Sequence, residues 1–193
     1  MKARQHGGKT GERRKAKRAV MKNLVDQLAQ YAAYHRDARN IYTHFVGVPM
    51  IVLAVAVLLS RPVWPAAGWP VSPALLLGVA AAVYYCRLDK GYGVCLSAVL
   101  AAMLGAGAWL AQQSTPLWLL CGLGLLVVGW TLQFVGHYWE RRKPAFMDDI
   151  VGLLIGPLFV AAEMGFALGL RPEVEQAVRA RAGPVRGAVR KPL

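Results

Sequence analysis

Two stretches of the chain change character at a histidine. Over residues 133–144 a long apolar run gives way to His137, Glu140 and then Arg141, Arg142 and Lys143. Over residues 34–49 the order is reversed, and polar residues lead into an apolar segment that carries His44, with His35 nine positions earlier. Imidazole is a ligand for iron, zinc, copper and nickel. A set of nitrogens, alone or with a carboxylate and with coordination positions left open, suits iron(II) oxygen chemistry or catalytic zinc. His137 and Glu140, at i and i+3, share a helix face, and Gln133 lies one turn back on that face, placed to steady a ligand. His35 and His44 would point roughly 180° apart on one uninterrupted helix, so they converge only if the chain turns between them. The polar break at residues 36–40 supplies that turn. The plain alternative is that each histidine is an amphipathic residue at a membrane boundary. Three of the four falling at one depth favours a shared metal; His6, in the basic arm, has no assigned role.

Other charged groups fit the same picture. Glu163 stands inside an apolar segment, where an ionised carboxylate costs about 2.5 kcal/mol or more unless it faces the protein interior. It is expected to bond an arginine or a backbone group, or else to serve as a ligand or proton acceptor. Arg141, Arg142 and Lys143 read as cations flanking a membrane span, with capture of a carboxylate headgroup as their functional reading. Asp89, between Arg87 and Lys90, reads as a turn and ion-pair residue. Cys86, Cys95 and Cys121 show no C-x-x-C spacing and are expected to be reduced.

These residues need elements to hold them. A chain of 193 residues that is 56% apolar is a small polytopic membrane protein rather than an ordinary soluble domain. Its net charge of +13 is concentrated at the ends: nine Lys or Arg in residues 1–22 and six in residues 171–193. That placement suits the cytoplasmic side of a bilayer. Nucleic acid is the rival partner for the basic arm and is not the expected one, because the arm is not interleaved with aromatics and no binding fold follows it. The expected organisation is a disordered arm over 1–21, an integral-membrane catalytic domain over 22–170 and a basic tail over 171–193. Within the domain, an amphipathic helix over residues 22–36 should carry Leu24, Leu28, Tyr31 and His35 on one stripe. Spans follow at 41–60 (Asn40 as its N-cap, bent at Pro49), 74–88, 92–112 and 116–136, with an interfacial loop at 61–73. The apolar segment 150–170, interrupted at Gly156-Pro157, is expected to re-enter rather than cross, since a fifth crossing would put the basic tail outside. The fold class is therefore all-α, a bundle of four spans plus a re-entrant or fifth segment. The histidines lie near the inner face and Trp64, Trp69, Trp109 and Trp118 at the outer one.

The motifs carry a resemblance. Y-H-x4-N-x3-H-x2-G-x-P at 34–49, Q-F-V-G-H-x2-E-x-R-x-P-A at 133–145 and G-P-x-F-x3-E at 156–163 resemble the integral-membrane 2-hydroxy fatty acid dioxygenases of the Mpo type. The resemblance covers about residues 24–170. It implies an Fe(2+)-dependent enzyme that shortens 2-hydroxy fatty acids by one carbon with O2, an alpha-oxidation step that eukaryotes use in sphingoid base degradation. It maps the essential histidines to His35, His44 and His137. Eukaryotic members carry a further histidine in mid-chain that is absent here, which leaves the fourth ligand to Glu140, Glu163 or water. Catalytic candidates are thus the three histidines with Glu140 and Glu163; substrate contacts are Arg141, Arg142 and Asn40. The expected setting is a bacterial inner membrane, with the acyl chain among lipid-facing spans. Di-iron membrane hydroxylases need about eight histidines and are a poor match. A non-catalytic metal- or lipid-binding protein or a small transporter is the alternative, and only Glu163 favours the transporter.

Overall fold

The computed structural model of the protein describes residues 23–66, 69–147 and 151–187, so the basic arm expected over 1–21 lies outside the described residues. The fold is all-α apart from one small ribbon. Helix α1 covers residues 23–32. It is followed by α2 (Ala38–Ser60), a two-stranded antiparallel ribbon of β1 (Trp64–Ala66) and β2 (Trp69–Val71), α3 (Pro73–Leu88), α4 (Lys90–Ala111) and α5 (Thr115–Glu140). A short 3-10 turn (Ala145–Met147), α6 (Val151–Ala167) and α7 (Pro172–Ala182) complete it.

The boundaries follow local chemistry. Asp37 caps α2 by accepting from Arg39 N, Ser72 caps α3 by accepting from Leu75 N, and Asp89 caps α4 by accepting from Tyr92 N. Proline falls in the first turn of α3, α5 and α7, where its missing N–H costs nothing. α7 opens with Glu173 and Glu175 and closes with Arg179 and Arg181, each sign matching the helix dipole. Arg141, at φ 55°, takes the left-handed conformation that ends α5.

The central pair is α2 and α5, antiparallel and closely packed. Gly129 and Gly136 make that approach possible: a Cβ at Gly129 would meet Ile51 and the Gly47 carbonyl, and one at Gly136 would meet Thr43 and Asn40. α2, α4 and α5 are long and apolar enough to cross a membrane; α3, at 16 residues, coincides with the segment expected at 74–88 and is a shorter apolar helix than these. At the bundle end away from the histidines, Arg61 stacks on Trp118, and Trp64 and Trp109 are exposed there. The side chain of Trp69 is outside the described residues.

Several expectations are corrected. α1 stops at residue 32, and the chain continues in a turn closed by i→i−3 bonds from Tyr34 N and His35 N. Asn40 is not the N-cap of α2, because Asp37 begins the helix one turn earlier, and Asn40 is buried inside it. Within the loop expected at 61–73, residues 64–66 and 69–71 pair as a ribbon. Gly156-Pro157 does not interrupt α6; the break comes after Ala167, where α6 and α7 meet at 116°. α6 begins just beyond the C-terminus of α5, and Arg171, just after its end, pairs with Asp89 in the α3–α4 turn. With α2 to α5 alternating in direction, both places belong to one end of the bundle. α6 and α7 thus form a bent pair at that end of the bundle, as in a broken span or a re-entrant segment. Within the basic tail, α7 buries Val174, Val178 and Ala182 in the core that holds Leu24 and Leu28.

Candidate metal centre

Each histidine is delivered by a different element. His35 sits in the turn after α1, where its Nδ1 donates to the Tyr31 carbonyl at 2.8 Å and its ring stacks on Tyr31 at 4.2 Å and 6°. His44, on α2, donates from Nδ1 to the Asn40 carbonyl one turn back at 2.8 Å. His137, on the last turn of α5, donates to the Arg142 carbonyl at 3.2 Å, which the left-handed Arg141 turns back toward the helix. A backbone carbonyl can only accept, so each bond places the proton on Nδ1 and leaves the Nε2 lone pair free. The three ring centroids lie 4.4, 4.9 and 5.3 Å apart, and the ligand atoms all lie within 4.8 Å of one another.

All three side chains are buried, and His35 Nε2 has no hydrogen-bond partner. Orphaned buried nitrogens are costly unless something binds them, and three imidazole lone pairs are a ligand set for a transition metal. The residues therefore fit such an ion. Burial, then the neighbouring His44, pushes His35 well below the usual histidine range, so it is neutral and able to coordinate at physiological pH. The Tyr31 hydroxyl is pushed up by burial and stays protonated.

The carboxylates are placed differently. Glu140 is outside the three-histidine group. Its Oε2 accepts from Arg36 N at 2.9 Å, Asp37 N at 2.7 Å and Asn40 Nδ2 at 3.2 Å, and its Oε1 from Arg186. It thus ties the end of α5 to the turn that carries His35. Glu163 pairs with Arg179 at 2.6 Å, the arginine partner expected for it, while its Oε1 is buried without a partner. Arg142 donates to the Ala33 carbonyl at 2.7 Å and lies over the Tyr34 ring, bracing the same turn; Arg141 is exposed. Asp89 caps α4 and pairs with Arg171, as a turn residue should. The cysteines are free.

Sequence reasoning did not find Arg179, Arg186 or Phe159. Arg179 and Arg186 belong to a tail whose return to the bundle leaves no local signal. The tilted ring of Phe159, 5.4 Å from His35, lies inside a motif that reads only as a core position.

A cavity of about 530 Å³ opens from the centre. Tyr31, His44, Gln133 and His137 line it beside apolar side chains of α2 to α6 such as Ile51 and Leu104. Asn40, Arg141, Arg142, Glu140 and Glu163 are not in its wall.

Together these features define a polytopic helical membrane protein with a buried three-histidine centre at the mouth of an apolar cavity. The family model described as 2-hydroxy-palmitic acid dioxygenase Mpo1-like matches residues 21–168, and the chain belongs to this family. It is similar to the 2-hydroxy-palmitic acid dioxygenase MPO1 of Saccharomyces cerevisiae, 32% identical over 156 residues that cover 79% of this chain and 86% of the yeast protein. No solved structure matches the chain.

Proposed function

We propose that the protein is an iron(II)-dependent dioxygenase that cleaves a 2-hydroxy fatty acid to the acid one carbon shorter. The observation that carries this reading is the set of three Nε2 lone pairs, each fixed by an Nδ1–carbonyl bond, beside an apolar cavity that His44 and His137 line. The yeast relative's name gives the substrate class. The reaction balances without a further cofactor: a 2-hydroxy acid and O2 give the shortened acid, carbon dioxide and water, and the four electrons lost by the substrate are those O2 accepts.

His35, His44 and His137 would hold the iron, which when bound supplies O2 activation with positions left for substrate. The protein's own groups do the rest. The cavity takes the acyl chain and keeps water away, and its volume is within the roughly 300–1,000 Å³ of ligand sites. Glu140 is a positioning residue, because its oxygens already accept four hydrogen bonds. Arg142 positions the His35 turn. Arg141 is the cation free to meet an incoming carboxylate, and Glu163 anchors α7. The basic flanks favour a histidine end that faces the cytoplasm, in a bacterial inner membrane.

The test is to reconstitute the purified protein with iron(II) without O2, then add O2 and 2-hydroxypalmitate. Pentadecanoic acid and carbon dioxide are expected. Unchanged substrate from folded, iron-loaded protein overturns the reading.

A further inference from the structure

Gln133 is the polar side chain in the cavity wall that the centre leaves unused. It is 4% exposed, and its Nε2 is buried with no hydrogen-bond partner. Most of its polar neighbours in that wall are committed: the Tyr85 hydroxyl donates to the Leu154 carbonyl, and His44 and His137 are tied through Nδ1. A buried amide N–H without an acceptor costs free energy, and a ligand oxygen arriving beside it recovers that cost.

Its position is held from both sides. Gln133 precedes His137 by one turn of α5, which sets its Cα about 6 Å further from the histidine end, within reach of its own long side chain. Across from it, Gly47 stands one turn beyond His44 on α2. A Cβ on Gly47 would run into Gln133 Nε2 and the Gly129 carbonyl. The missing side chain is the notch in which the amide lies, so the two motifs that deliver His44 and His137 also deliver a hydrogen-bond donor one step further in.

We infer that Gln133 Nε2 donates to the 2-hydroxyl oxygen of the bound fatty acid and so sets the preference for 2-hydroxy acids over plain ones. The inference rests on the alpha-oxidation reading for the substrate's orientation. With the carboxylate at the histidines and the chain running inward, C2 is the first carbon to pass the amide. A site whose donor is left unpaired discriminates against the analogue that lacks the hydroxyl.

The test is equilibrium titration of the full-length, iron-loaded protein with 2-hydroxypalmitate and with palmitate, without O2. Wild type should prefer the hydroxy acid. Gln133→Met, close in volume, should lose about tenfold in affinity for 2-hydroxypalmitate, the scale of one hydrogen bond, and stay within about twofold for palmitate. Iron content and melting temperature should be unchanged. Gly47→Ala, which displaces the amide and leaves Gln133 in the chain but also presses on the Gly129 carbonyl, should reproduce the loss in the fraction that retains iron. A Gln133→Met protein that keeps the preference, or a wild type that has none, overturns the inference. If the Met variant does not fold, Gly47→Ala decides in the same way. Wild type that prefers the hydroxy acid but never shortens it overturns the alpha-oxidation reading and leaves Gln133 in place. Shortening by wild type, with the preference intact in Gln133→Met, does the opposite.

Discussion

At the residue scale, the histidines differ from the carboxylate beside them in what each is free to do. The imidazoles have one nitrogen tied and one spare, whereas Glu140 has no spare oxygen. His44→Ala should therefore abolish bound iron, from about one per chain to near none, as elemental analysis would read. Glu140→Ala acts through structure. It strands the amides of Arg36 and Asp37, and should lower stability by about 1–3 kcal/mol while also weakening iron retention, because the His35 turn is no longer held. Glu140→Gln keeps one acceptor and should lie between the two. His35 makes the metal-free protein sensitive to acid. Its folded value lies well below the ordinary 6.5, so the unfolded chain takes up a proton first as pH falls. The thermal midpoint should hold above about pH 7, begin to drop near 6.5 and keep falling until the folded ring itself titrates. A midpoint that rises on acidification over that range would contradict the assignment.

At the element scale, the site is a consequence of how closely α2 and α5 approach. His44 and His137 belong to separate helices, and the glycines between those helices set their distance. Gly129→Val would press a branched side chain into Ile51 and the Gly47 carbonyl. Overpacking of this kind costs about 1–3 kcal/mol. We predict that it also lowers iron occupancy, measured on the folded fraction, although Gly129 is two turns from His137. The sequence shows α2 and α5 through their long apolar runs, and it shows their separate histidines. It does not reveal that Asp37 rather than Asn40 starts α2, since both are good caps and the choice depends on Asn40 being drawn inside to meet Glu140. Nor does it reveal that Pro157 is accommodated within a continuous α6.

At the scale of the whole molecule, the C-terminal quarter closes the histidine end. α6 packs beside it, α7 packs on α1 with Arg181 on Asp26, and the backbone of Arg186 exchanges bonds with Arg36 and Ala38 while its side chain reaches Glu140. If this pair re-enters, both ends of α6 share a side of the membrane. Single cysteines at Gln176 and Ser114, in a chain whose three native cysteines are replaced, should be modified from opposite faces of intact membranes. Labelling of both from one face would refute the arrangement.

The sequence by itself determined the class of fold, the membrane-length helices and the three histidines with their order in the chain. Those properties are local, written in hydropathy runs, charge steps and short spacings. Only the tertiary structure decided that the rings meet, that Glu140 braces the turn rather than joining them, that Gln133 is left with an unpartnered amide beside Gly47, and that the tail returns to cover the centre. Each of those depends on which surfaces pack together across a hundred residues, and packing of that range leaves no periodic trace in the chain.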